Sequence, residues 1–124
     1  MNFLSRLSHV ALTVSDPSRT ASLLAGLFGA SAIQRADDDE HDETYMRLGD
    51  TWFVFVKADV TRPPTGDHVA FLVSPATLAA VAEKLAAIGH AHQLARSGTA
   101  LYFSDFDNHM FELDTIGVEA QLRE

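Results

Sequence analysis

The chain has 124 residues, 47% of them hydrophobic, a formal net charge of −8 and no cysteine. That length is one domain's worth, able to bury roughly two thirds of its unfolded surface, and the charge opposes binding to a phosphate backbone. Without cysteine a metal site must be built from His and carboxylates, and neither a disulfide nor a Cys nucleophile is available.

The opening stretch, Met1 to Arg6, has no apolar segment of signal-peptide length. The longest apolar run, Trp52 to Val56, is far short of the ~20 residues a membrane-spanning helix needs. The expectation is a cytoplasmic protein with a small-molecule substrate and with neither nucleic acid nor membrane as partner.

In chain order, His9 to Ser15 reads as a strand in which Val10, Leu12 and Val14 alternate with smaller residues. Asp16 can cap a helix with Pro17 at its first position; Leu23, Leu24, Leu27 and Phe28 form its apolar face, and Gly29 ends it. Strands follow near Ser31 to Arg35, Glu43 to Leu48 and Thr51 to Lys57, with Gly49-Asp50 as the last turn. The acidic run from Asp37 to Glu43 reads as a solvated loop. Asp59 to Asp67, with Pro63, Pro64 and Gly66, reads as a linker.

His68 to Ser74 then repeats His9 to Ser15, with His, Val, Ala, Val and Ser matched in place. Ser74-Pro75 caps a second helix whose face is Leu78, Val81, Leu85 and Ile88 and whose stop is Gly89. Strands near His92 to Ala95, Ala100 to Ser104 and Met110 to Asp114 complete the second copy, the last two read as a hairpin around Asp107-Asn108 with Phe106 among its core residues. Val118 to Glu124 is a tail with at most a helical turn. The predicted architecture is α+β, a single domain of two β-α-β-β-β modules: about 5–58, a linker of about 59–67, about 68–115, and a tail of 116–124.

The repeat places His9 and His68 at equivalent points, each opening an apolar strand. Aligning the last strands of the two copies sets Val54 opposite Glu112, a carboxylate between Phe111 and Leu113 whose burial calls for a partner. About an approximate twofold axis the duplicated frame therefore offers four positions, filled by His, His, Glu and Val. Three ligands and a vacant position are the arrangement of a catalytic divalent site. A single strand histidine is more often a hydrogen-bonded structural residue; the conjunction of two repeat-equivalent histidines with Glu112 points to a metal. His41, His90, His92 and His109 fall in turns or loops and read as non-ligands.

These residues carry a family resemblance. Paired β-α-β-β-β modules with His opening each and Glu in the last strand resemble the vicinal oxygen chelate superfamily. Tyr102 to Leu113 is similar to the C-terminal signature of its fosfomycin resistance proteins, above all the class that hydrates the epoxide. The resemblance implies curved mixed sheets and a module-swapped homodimer. In it His9 of one subunit completes a site with His68 and Glu112 of the other, around Mn²⁺ or another of Zn²⁺, Fe²⁺ and Ni²⁺. It implies that Glu43, nine residues before Trp52, is the general base, the alternative being one more member of the solvated acidic run. Tyr45, Trp52 and Tyr102 match substrate-pocket positions, and as strand aromatics they are equally suited to a core.

The chain also departs from that pattern. The basic, hydroxyl-rich phosphonate loop is here the shorter Leu94 to Ala100, with Arg96 as its cation; Ala11 and Ala100 stand where hydroxyls are expected, and Arg123 is one residue out of register with the family's phosphonate clamp. Val54 stands where a glyoxalase I would carry a fourth ligand, which argues against that activity. The expected function is water addition to an epoxide or action on a related small anion. The alternatives are a glutathione-type thiol transferase, another metal-dependent lyase or dioxygenase of the superfamily, and a drug-binding resistance protein without chemistry.

Overall fold

A computed structural model describes residues 2–30, 33–37, 42–59 and 62–122. The chain divides into two units, Met1–Thr61 and Arg62–Glu124, and the boundary falls inside the proline-containing linker.

In the first unit the Asp16 carboxylate accepts the Arg19 backbone N–H at 3.2 Å, capping helix α1, Pro17–Phe28, and Gly29 at φ 71° closes it. Strands β1, His9–Val14, β2, Ile33–Asp37, β3, Asp42–Leu48, and β4, Thr51–Lys57, form a sheet ordered β1-β4-β3-β2. β1 runs parallel to β4 and the other neighbours are antiparallel. Alternation along these strands sends Val14, Met46, Leu48, Phe53 and Phe55 to the face that α1 covers with Ala21, Leu24 and Leu27, all buried. Each fully buried side chain of this size stabilises by about 1.5–3 kcal/mol.

The second unit repeats the plan. Ser74 caps helix α2, Pro75–Ala87, by accepting the Thr77 N–H at 3.1 Å. Strands β5, His68–Leu72, β6, His92–Ala95, β7, Ala100–Ser104, and β8, Met110–Asp114, are ordered β5-β8-β7-β6, again with only the β5–β8 pair parallel. Leu101, Phe103, Phe111 and Leu113 are buried, as are Leu78, Val81 and Leu85 of α2. A short α3, Val118–Gln121, supplies the helical turn expected of the tail.

The structure differs from the sequence reading in three places. Ile88 is the C-cap of α2 and 60% exposed, so the apolar stripe ends one turn earlier, at Leu85. Phe106 lies in the β7–β8 turn and is 37% exposed, because the chain has already left the sheet at Ser104. The ends of the acidic run are strand rather than loop: Asp37 of β2 pairs with Asp42 of β3, and Ala36 with Glu43. On β3, Asp42 and Glu43 are half-buried at the end of that ladder. His41 lies outside the described residues. Among those described, no helix is long and apolar enough to cross a membrane.

Candidate functional site

Strand register reproduces the internal repeat residue for residue at the candidate positions. His9 pairs with Trp52 and Ala11 with Val54 in the first unit; His68 pairs with Met110 and Ala70 with Glu112 in the second. Across the antiparallel ladders Val54 faces Tyr45, and Glu112 faces Tyr102. Val54 and Glu112 are therefore the same position of the module. Since paired residues share a face, His9, Glu43, Tyr45 and Trp52 lie on the face of the first sheet opposite α1, and His68, Tyr102 and Glu112 on the corresponding face of the second.

In the second unit His68 and Glu112 are brought together. The Gly66 carbonyl lies 3.0 Å from His68 Nδ1, and since a carbonyl only accepts, that nitrogen carries the hydrogen. Nε2 then points at Glu112 Oε1, 3.1 Å away. An imidazole lone pair and a carboxylate oxygen converging on one point, with the far ring nitrogen held by a backbone carbonyl, are donors and a supporting bond of the kind a divalent cation site uses. The two residues fit such an ion. His9, opening β1 in the other unit, has its Nδ1 2.9 Å from Ser8 Oγ, so that when Nδ1 donates Nε2 keeps its lone pair. Among the described residues no three His, Asp or Glu side chains gather into a group that could hold a metal ion.

Glu112 is 4% exposed, and its burial is explained by what surrounds it. Its Oε2 accepts a hydrogen bond from Arg96 Nη2, while Arg96 Nη1 donates to the Tyr102 hydroxyl at 3.0 Å and Asp114 Oδ2 stands 3.8 Å from Nη2. The bond to Glu112, then that to Tyr102, holds the guanidinium pKa above its ordinary value. Tyr102 also meets the His68 ring edge-on at 5.9 Å. Arg96 reaches inward from a tight turn between β6 and β7, where Arg96, Ser97 and Gly98 have φ of 50°, 57° and 83°. The shortened loop thus aims its cation at the carboxylate of the candidate site.

In the first unit the Tyr45 hydroxyl donates to Glu43 Oε2, leaving the other carboxylate oxygen for a further partner. Trp52 is half-buried beside His9 and Arg47. Arg123 lies outside the described residues.

His109, read from sequence as a loop residue, is buried, and its Nδ1 donates to Asp105 Oδ2 at 2.7 Å while Nε2 accepts from Arg62 Nη1 at 3.0 Å. The sequence signal for it was an Asp ahead of a turn with His four residues on, a spacing at which the carboxylate serves both turn amides and ring.

Comparison with known proteins agrees with this layout. Residues 6–113 match the model of the Glyoxalase/Bleomycin resistance protein/Dioxygenase superfamily. The chain is 30% identical over 117 residues to a fosfomycin resistance protein, FosX, of Mesorhizobium japonicum, covering 88% of this chain and 84% of that one. It is 29% identical over 133 residues to the metallothiol transferase FosB of Bacillus licheniformis, covering 98% and 82%. A substituted FosX of Listeria monocytogenes, solved with Mn(II) and 1S,2S-dihydroxypropylphosphonic acid, superposes with a TM-score of 0.86 at 29% identity over 98% of this chain and 100% of that one. On the match to its family model and the shared fold, the chain belongs to the Glyoxalase/Bleomycin resistance protein/Dioxygenase superfamily.

Proposed function

We propose that this protein is a divalent-metal-dependent enzyme that adds water to the epoxide of a small anionic substrate, with His9, His68 and Glu112 as metal ligands and Glu43 as general base. The observation that carries the proposal is the convergence of His68 Nε2 and Glu112 Oε1, 3.1 Å apart, at the position where the repeat-equivalent residue is the apolar Val54. The Mn(II) complex of the structural relative supports Mn²⁺ as the ion, and its dihydroxypropylphosphonate is a vicinal diol, the product that water addition gives from the corresponding epoxide. When bound, the ion supplies Lewis acidity toward the epoxide oxygen.

The chain's own residues do the rest. Glu43 takes a proton from the attacking water through its free oxygen, and the Tyr45 hydroxyl holds the carboxylate in place. Trp52 and Tyr102 wall the pocket, and Arg96, through Glu112 and Tyr102, orients the ligand carboxylate while presenting a cation to the substrate. The site is shared in a homodimer, His9 from one subunit serving His68 and Glu112 of the other. A second reading, thiol addition to the same substrate, is favoured by the likeness to a metallothiol transferase.

Mn²⁺ should raise the melting temperature of the wild type, and His9→Ala, His68→Ala and Glu112→Ala should each abolish that rise. No shift with Mn²⁺, Zn²⁺, Fe²⁺ or Ni²⁺ would sink the metal assignment. Glu43→Gln should keep the shift and lose about 10²–10⁴-fold in turnover. Product mass with and without glutathione separates hydration from thiol addition.

A further inference from the structure

The first unit contains an open recess of about 250 Å³ lined by Arg6, Leu7, Ser8, Arg47, Asp50 and Trp52. Two guanidiniums meet there in a chain that has only 9 Lys and Arg against 17 Asp and Glu. Among the described residues neither Arg6 nor Arg47 has a hydrogen bond or ion pair, and Asp50, whose Oδ1 accepts from Thr51 Oγ1 at 3.3 Å, leaves the lining cationic by one charge. A positive recess on an acidic protein focuses anions, and the planar fork of Arg is matched to the oxygens of phosphate, phosphonate and carboxylate groups.

Its position gives it a use. Arg47 pairs with Trp52 across β3 and β4, and Trp52 pairs with His9 across β4 and β1, so His9, Trp52 and Arg47 form one row on the face that also bears Tyr45 and Glu43. Along β3 itself Glu43, Tyr45 and Arg47 alternate onto that face, which sets the candidate base and the guanidinium roughly 13 Å apart at their backbones.

We infer that the Arg6–Arg47 recess is the subsite for the anionic head group, a phosphonate or phosphate, of the small substrate whose electrophilic end lies toward Glu43. The assignment rests on the reaction class proposed above for its orientation, but not for the recess itself. It adds counter-charge to that of Arg96, the one cation of the shortened Leu94 to Ala100 loop, whose Nη2 already donates to Glu112.

The test is calorimetric titration of inorganic phosphate into the Mn²⁺-supplemented full chain. Saturable binding, weakened at least tenfold by Arg6→Gln and by Arg47→Gln but not by Lys84→Gln on α2, is the expected result. Absence of saturable binding to the wild type, or unchanged binding to Arg47→Gln, overturns the inference. Both arginines are exposed, and a melting temperature without phosphate verifies that each variant is folded. With 1,2-epoxypropylphosphonate as substrate, Arg47→Gln should raise KM tenfold or more, and its loss in kcat/KM should be at least tenfold larger for the phosphonate than for a neutral epoxide. An unchanged KM for the phosphonate would mean the recess takes free phosphate only, and the head-group assignment would fall. If the wild type turns over no epoxide yet loses phosphate binding in Arg47→Gln, the reaction reading fails and the anion subsite stands.

Discussion

Asp105 receives three N–H groups: Oδ1 accepts from the backbone of Asp107 at 2.8 Å and of His109 at 2.9 Å, and Oδ2 accepts from His109 Nδ1 at 2.7 Å. Because Arg62 can only donate, His109 Nε2 is an acceptor and the ring is neutral. Asn108 adds a bond from its Nδ2 to the Arg62 carbonyl at 2.7 Å. The β7–β8 turn thereby grips the segment that leads, through Gly66, to His68. Asp105→Ala leaves the three donors without their acceptor inside the protein and should cost about 3 kcal/mol, near 1 kcal/mol for each bond, read as a lowered urea midpoint at unchanged slope. Residue chemistry of this kind was half legible in the sequence. Glu112 stood out as a carboxylate between Phe111 and Leu113, and the repeat named His68 as a partner. Arg96 on its other oxygen was not legible as a partner, because it depends on non-glycine residues at positive φ that no composition signal marks.

At the scale of an element, the corner after β8 depends on Asp114. Its Oδ1 accepts the N–H of Ile116 at 2.9 Å and of Gly117 at 3.0 Å, and these bonds hold the carboxyl pKa below its ordinary 3.8. Gly117 itself has φ 88° and ψ 151°, a conformation that all but glycine avoid. Thr115 then ties the corner to the Arg96 turn, its N–H at 3.0 Å and its hydroxyl at 2.9 Å both donating to the Thr99 carbonyl. A depressed folded-state pKa contributes stability above the unfolded value and loses it as pH falls through the folded one. Below about pH 4 the wild type should therefore lose stability that Asp114→Ala, already weaker by about 1–2 kcal/mol from the two missing bonds, does not have to lose. Thermal melts between pH 7 and 3 should show the two proteins converging. The helices and strands themselves were legible because capping residues and apolar spacing agree at each end, Asp16-Pro17 and Ser74-Pro75 most plainly. The acidic run misled because its charge suggested a loop, whereas its two ends extend β2 and β3 and pair with each other.

For the whole molecule, duplication is the organising fact, and it was visible in a seven-residue stretch that recurs with five residues unchanged. What a single chain cannot express in its sequence is which copy of a module completes which site. Mixing subunits decides it. If sites are shared, a dimer of His9→Ala with Glu112→Ala carries one intact and one doubly defective site, so a random mixture of two inactive proteins should recover about a quarter of wild-type activity. Sites built within one subunit would recover none. Val54 bears on the same history. After duplication every inward position exists in two copies, and chemistry constrains only one of them. Glu112 is a carboxylate in a buried place with Arg96 and His68 on its two oxygens and Tyr102 on Arg96, while its twin Val54 is an apolar residue 8% exposed. Redundancy of this kind gives such a protein room to acquire new substrates: the half without the carboxylate can remodel its wall, as the arginines of the first unit suggest, while the half that holds it stays fixed.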